Sequence, residues 1–441
     1  MKRETRKIVM ALAILLCMST FLFAAGQKET VATDAKKAEV VTLEWWTWNS
    51  EEYDEAVQRS LVKEFEASHP NIKINMTLLP TKGFETKMTT ALGAGVGGPD
   101  VAFFSISSWF PKALDLGPYI ERDTFDTGMY YEGFWDTKTQ FNGTTIGLPL
   151  GVGASLVMYN KDLFDAAGVA YPTSDWTTQE YLEIAKKVAN PAKKIWGCEI
   201  LTRPFRAIWY NYGPNARLYS MDSTTVDGYL NSPESLSAYG WFYDLMRSGA
   251  TPSVSDMSTL STENTGPIDL FMADRLAMAT LNQGHMLDAV RAGKNFGVVR
   301  EPGVGNNQRH VNAWSMLVSI WEGTKHPEEA WTFLKWYVGP EGQKFLMDNG
   351  NLFPSIETVA VQYKDADKDY VKGFLEILND KQVAIWRGSH PSGTKVEATI
   401  KDLWDMIKLG TIKKSEIKRE LDKLVPRAQE TLDEAKKTLL Y

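Results

Sequence analysis

The stretch Gly147-Leu-Pro-Leu-Gly-Val-Gly-Ala-Ser-Leu-Val-Met-Tyr-Asn-Lys-Asp-Leu-Phe-Asp-Ala-Ala-Gly168 constrains the fold of this chain more than any other. It opens as a glycine-punctuated extended segment. Residues 155–159 continue it as an apolar run, which predicts a buried strand. Residues 161–167 predict a short helix closed by Gly168. Gly147, Gly151 and Gly153 accept backbone angles that other residues avoid. The segment is therefore expected to turn the chain sharply, out of one lobe and into another.

Strand and helix patterns alternate on either side of it. Val41-Thr-Leu-Glu-Trp-Trp-Thr-Trp48 is β-branched and aromatic and predicts a strand. Asn49-Ser-Glu-Glu52 is expected to cap a helix over residues 53–68. Residues 72–78 alternate as a half-exposed strand, 84–92 predict a helix and 99–104 a strand. Such β-α-β alternation builds mostly parallel sheets. Gly93-Ala-Gly-Val-Gly-Gly98 matches the dinucleotide-binding spacing, but a helix precedes it and a strand follows. The fingerprint needs the reverse order, so this is a flexible connection. Ser105-Ile-Ser-Ser-Trp109 lies past the end of a predicted parallel strand, where open α/β sheets place ligands. Further strands are expected at 195–201, 276–281, 296–299 and 312–320. The last third is expected to be mostly helical, interrupted by a loop over 385–393.

The 441 residues allow two or three domains at roughly 150 residues each. A net charge of −7 gives no electrostatic footprint for nucleic acid. Residues 1–26 have the form of an export signal peptide: Lys2, Arg3, Arg6 and Lys7, then an apolar core, then Ala24-Ala-Gly26. Its removal leaves 44 basic and 54 acidic side chains, a net of −10. Residues 27–40 are polar and alanine-rich, a flexible spacer. Cys17 falls in the leader behind Leu16, where lipid attachment wants a small residue, so a lipid anchor is the less favoured form. Cys198 is then the single mature cysteine, so no disulfide or sulfur-based metal cluster can form within the chain.

His69, His285, His310, His326 and His390 are scattered without metal-ligand spacing, and neither a nucleophile elbow nor a P-loop occurs. No pattern calls for a cofactor or metal. Carboxylates are plentiful, so a glycosidase pair stays open on spacing alone. The fifteen tryptophans are more informative. Trp48, Trp109, Trp209, Trp314 and Trp386 fall at strand ends or in loops, flanked by polar residues. A tryptophan there can stack on the C–H face of a sugar ring while its neighbours bind hydroxyls.

Tyr159-Asn-Lys-Asp-Leu-Phe-Asp-Ala-Ala-Gly-Val-Ala-Tyr-Pro-Thr-Ser-Asp-Trp176 resembles the signature of extracellular solute-binding proteins of sugar ABC importers, the group that includes maltose-binding proteins. Phe271-Met-Ala-Asp-Arg-Leu-Ala-Met278, Pro302-Gly303, Lys325-His-Pro-Glu-Glu-Ala-Trp-Thr-Phe-Leu-Lys-Trp336 and Phe353-Pro-Ser-Ile356 follow in family order. The resemblance implies a type II periplasmic-binding fold: two α/β lobes with mostly parallel sheets, joined by a hinge crossed three times. The family crossings map near residues 148–151, 276–279 and 313–315. One lobe would hold residues 41–149 plus 279–313, the other 150–278 plus 314–441. Positions that line the cleft in relatives map to Trp48, Asn49, Glu51, Phe84, Ser107, Trp109, Gly153, Trp209, Asn282, Gln283, Trp314 and Trp386. Several relatives carry a carboxylate where Gly153 stands. The implied function is a monomeric, non-enzymatic periplasmic or extracytoplasmic receptor that delivers a mono- or oligosaccharide to an ABC permease. The alternatives are a secreted glycosidase or lyase, and the same fold with a polyamine or glycerophosphodiester ligand.

Overall fold

The computed structural model describes residues 39–49, 54–105, 107–141, 143–199, 206–262, 266–350, 352–379, 383–385 and 393–437. The chain divides after Val41, and the unit Thr42–Tyr441 holds the fold. The elements begin with β1 (Val41–Asn49), α1 (Glu55–Ser68), β2 (Ile72–Pro80), α2 (Thr81–Ala94) and β3 (Val101–Phe103). The first helix is capped by Asp54, whose Oδ1 accepts from Ala56 N at 2.9 Å and Val57 N at 3.3 Å. The cap expected at Asn49-Ser-Glu-Glu52 is therefore not the one used. An aspartate one residue before the helix reaches the free N–H groups that a more distant residue cannot.

The long strand β4 (Leu148–Asn160) follows, then α3 (Lys161–Ala167). Asn160 caps α3 by accepting from Leu163 N, and Gly168 closes it at φ 64°. Next come α4 (Thr178–Val188), β5 (Trp196–Cys198), α5 (Arg206–Tyr210), β6 (Leu276–Asn282), α6 (Gln283–Arg291) and β7 (Phe296–Val299). The chain continues through β8 (Arg309–Val311), β9 (Ala313–Ile320), α7 (Pro327–Val338), α8 (Pro340–Asn349), α9 (Asp369–Asn379) and β10 (Val383–Ile385). The helices α10 (Lys401–Leu409) and α11 (Ile417–Lys437) close the described chain.

The main sheet has the order β2-β1-β3-β9-β4-β6-β5, with β7 also paired to β4. It consists of two half-sheets that share β4. In the first, β1 and β3 are parallel and β9 runs against β3 and against the front of β4. In the second, β5 is parallel to β6, while β6 and β7 both run against the back of β4. In the first half the opposed strand β9 lies between β3 and β4, and in the second β5, β6 and β7 run together with the opposed strand β4 between β6 and β7.

Packing follows the pairing. Trp45 of β1 meets Phe333 and Tyr337 of α7 edge-on, with ring centroids 5.4 and 5.0 Å apart, and Phe65 of α1 meets Phe333 at 4.9 Å. Helix α7 therefore covers the first half-sheet. On the second, Tyr159, Tyr181, Phe242, Trp404 and Leu421 share one core, in which Phe242 stacks on Trp404 at 3.7 Å. Each such buried aromatic contributes about 1.5–3 kcal/mol over an exposed one. The opposite face is a core of Leu156, Met158, Leu281, Phe353 and Phe374 that extends to Val152, Ala154 and Ala313.

Two details differ from the sequence-based expectation. Gly147, Gly151 and Gly153 are not among the residues with positive φ, and Gly151 and Gly153 lie inside β4. Their lack of a side chain matters for space instead: a Cβ would lie 2.6 Å from Val318 O at Gly147 and 2.3 Å from Leu352 Cδ1 at Gly151. The second difference is the pairing of residues 276–279. They belong to β6, whose register with β4 and β5 runs unbroken within the second half-sheet. Both partners of this strand, the back of β4 and β5, belong to the second half-sheet, so residues 276–279 do not pass into the other half. The chain instead returns alongside Gly151 at Phe353 and Pro354, where Val152 N donates to Phe353 O at 2.9 Å.

Candidate functional site

The register places two sets of strand ends opposite each other. In the first half-sheet β3 ends at Phe103, which pairs with Val318, and Val318 pairs in turn with Leu148. In the second, β6 ends with Asn282 opposite Ser155 and β7 with Val299 opposite Val157. The strands of the two halves run in opposite directions, so their carboxyl ends face across the intervening stretch of β4 and β9. From Leu148 to Ser155 that stretch extends for about 23 Å. A crevice outside the carboxyl ends of strands is where open α/β folds bind ligands.

Aromatic residues form the first wall. Trp48 lies two residues beyond the Trp46–Ala102 pair and is 8% exposed. Its ring meets Phe84 edge-on at 5.3 Å and Phe103 at 4.5 Å. Phe84 meets Trp109 at 6.1 Å, and Trp109 Nε1 donates to Thr89 Oγ1 at 3.2 Å. Trp48, Phe84 and Trp109 are therefore brought together, and they pack mainly against one another. Ser107 opens the short helix Ser107–Lys112, and Asn49 ends β1; the side chains of both lie outside the described residues, as does Glu51 altogether.

The floor is formed by Gly153 and Trp314, which pair across β4 and β9. Trp314 is half-buried and its indole covers Gly153, where a Cβ would lie 2.4 Å from Cε2. Beside it, Asn312 accepts from Ser155 N at 2.7 Å through its backbone and donates Nδ2 to Ser155 Oγ at 3.0 Å.

The second wall carries Asn282 and the buried Gln283. Asn282 Oδ1 caps α6, accepting from Gly284 N at 3.0 Å and His285 N at 3.2 Å, so its acceptor serves the helix. Trp209 is 2% exposed, its Nε1 donates to Ser235 Oγ at 3.0 Å, and it packs on Tyr239 in the core. The structure does not bring it to the crevice floor with Trp314. Trp386 lies outside the described residues.

Two acids escaped the sequence reading. Glu199 follows β5 directly and Glu301 lies two residues beyond β7, and both are buried. Glu199 Oε1 accepts from Thr280 N at 2.6 Å, whereas Glu301 Oε2 has no hydrogen-bond partner. Burial pushes both carboxyls well above the ordinary range, and the charge of Glu199 raises Glu301 further. A signal was present: Glu199 interrupts an otherwise apolar strand-forming run.

Comparison with known proteins agrees with this architecture. Residues 37–344 match the family model described as bacterial extracellular solute-binding protein. A binding protein of Brucella abortus (strain 2308) is 25% identical over 336 residues, 73% of this chain and 78% of that one. The sn-glycerol-3-phosphate-binding periplasmic protein UgpB of Rhizobium meliloti is 26% identical over 283 residues, 59% of this chain and 62% of that one. Among solved structures, the Listeria monocytogenes ABC substrate-binding protein in complex with cycloalternan superposes with a TM-score of 0.73 at 23% identity, covering 90% of this chain and 100% of the other. The sugar-binding protein MalE of Xanthomonas citri gives 0.72 at 19% identity, covering 90% and 98%. The fold is thus the two-part α/β architecture of periplasmic binding proteins, and the chain belongs to the bacterial extracellular solute-binding proteins.

Proposed function

We propose that this protein captures a saccharide between two lobes and delivers it to the permease of an ABC importer. One observation carries the reading: two sets of strand ends face each other over a floor where the Trp314 indole covers Gly153. An aromatic face backed by a glycine suits the flat C–H face of a sugar ring, and Trp48, Asn282 and Gln283 flank it. The solved structures with cycloalternan, α-D-tagatose and mannotriose come from proteins of the same fold, and UgpB and an erythritol/L-threitol-binding protein are sequence relatives. These support a polyhydroxylated ligand.

The strand pairing supports a division into residues 42–150 plus 317–349 in one lobe and 155–312 plus 356–437 in the other. The lobes would close about β4, β9 and Phe353-Pro354, with ligand stabilising the closed form through its higher affinity for it. The protein acts as a monomer, without turnover. It is exported by residues 1–26, with lipid attachment at Cys17 the less favoured form; among the described residues no helix is long and apolar enough to cross a membrane.

Titration calorimetry over neutral and acidic mono- and oligosaccharides, polyols and sn-glycerol 3-phosphate tests the reading, with product analysis alongside. Saccharide binding without turnover is expected. Binding of sn-glycerol 3-phosphate alone would move the ligand to the second reading, which UgpB favours. Turnover would overturn the receptor assignment.

A further inference from the structure

Strand alternation extends the cleft floor beyond Trp314. Val311 and Ala313 are buried, whereas His310, Asn312 and Trp314 are half-buried and share one face of the extended backbone. From Trp314 to His310 is four residues, about 13 Å. Beyond His310 stand Tyr210, at the end of α5, and Arg217. The Tyr210 ring lies 5.8 Å from that of His310, and the Arg217 guanidinium lies 5.7 Å over Tyr210. Asn211 holds the group in place. It accepts from His310 N at 2.6 Å and donates Nδ2 to Pro302 O at 3.0 Å. His310 Nδ1 lies 3.3 Å from Asn211 Oδ1, which leaves Nε2 as the other polar atom of the ring.

Arg217 is half-buried, yet no carboxylate among the described residues pairs with it. Its Nε is buried without a hydrogen-bond partner. An unmatched buried donor on a charged group is costly, and arginine presents a fork that fits two oxygens of an anion at once. The chain as a whole is acidic, with a net charge of −7, so it repels anions unless a local cation is reserved for one.

We propose that Arg217, Tyr210 and His310 form an anion subsite at the end of the cleft, so that the saccharide bears a carboxylate or a phosphate ester. The inference rests on the saccharide reading above. The anionic oxygens pair with the guanidinium, and a ring hydroxyl donates to His310 Nε2. Neutral His310 suits this role, because burial and the nearby Arg217 charge hold its imidazole down to about 4.

The test is titration calorimetry of the full mature chain at pH 7 with four probes: digalacturonate, glucose 1-phosphate, maltotriose and inorganic phosphate. Arg217→Gln and Arg217→Lys are compared with the parent. The proposal expects an acidic saccharide to bind at least tenfold tighter than maltotriose. Arg217→Gln should weaken it by on the order of 30-fold and Arg217→Lys by less, because a charged bidentate pair is replaced by a point charge or by none. Unliganded Arg217→Gln should keep its thermal midpoint, since no ion pair is lost, and that separates lost binding from lost folding. The preferred acidic probe tells a carboxylate from a phosphate. If maltotriose binds more tightly than both acidic sugars and Arg217→Gln leaves that affinity unchanged, the anion subsite is wrong while the saccharide reading stands. If inorganic phosphate binds in an Arg217-dependent manner and no saccharide does, the subsite stands and the saccharide reading falls.

Discussion

Trp314 and Gly153 face each other across paired strands, and the indole occupies the space a side chain at 153 would need: a Cβ would lie 2.4 Å from Cε2 and from Nε1. The position of one aromatic ring in the crevice is thus set by the absence of one methyl group on the neighbouring strand.

Gly153→Ala is therefore expected to displace the ring more than it destabilises the fold. Trp314 is half-buried and can swing toward the crevice, so the overpacking cost should lie near the lower end of about 1–3 kcal/mol. Saccharide affinity should fall at least tenfold. Unchanged affinity by calorimetry would show that the ring does not contact ligand.

Gly147→Ala should behave differently. The added Cβ would lie 2.6 Å from the backbone oxygen of Val318 and 2.5 Å from Ser319 Oγ. A paired backbone cannot turn aside, so the loss should reach about 2–3 kcal/mol in urea unfolding. A variant as stable as its parent would show that the contact can relax.

Tryptophan substitutions should separate the cleft from the core. Trp209→Ala removes a side chain buried against Tyr239 and bonded to Ser235, and should cost about 3–5 kcal/mol. Trp314→Ala should cost under about 1.5 kcal/mol but abolish most binding. Equal stability losses in the two variants would contradict this division.

The buried pair Glu199 and Glu301 should give stability a descending limb with pH. Burial, and for Glu301 also the charge of Glu199, raises the folded-state values above those of an unfolded glutamate. Between the unfolded and folded values the native state holds more protons, so its stability is full at the acidic end and lost as pH rises. Glu301→Gln should flatten the decline between pH 5 and pH 8 and gain on the order of 1–2 kcal/mol at pH 8. Parallel stability curves for variant and parent would rule the pair out as its source.

Local elements were legible in the sequence because their causes are local. Asn160 and Gly168 bracket α3 through a side-chain cap and a left-handed residue, and the apolar run before them forms the back of β4. The glycine-rich stretch 93–98 connects α2 to β3. The motifs in family order led to the correct fold class. The cap of α1 was misplaced because Asn49 and Asp54 are both good cap residues, and only the first helical hydrogen bond chooses between them.

The sequence by itself determined the α/β class, the order of elements and the family. Tertiary structure decided which strands share a sheet, and so where the chain passes between halves. Residues 276–281 read as an apolar strand in any partner's company, and only their register with β4 and β5 keeps them within the second half-sheet. Tertiary structure also decided that the glycines of the opening stretch serve close approach and not turning, that Trp209 packs inside, and that Arg217 is left without an acid among the described residues. Periodicity along a chain records which face of a segment is buried. It carries no information about which distant residue does the burying, and each of these outcomes depends on a contact between residues far apart in sequence.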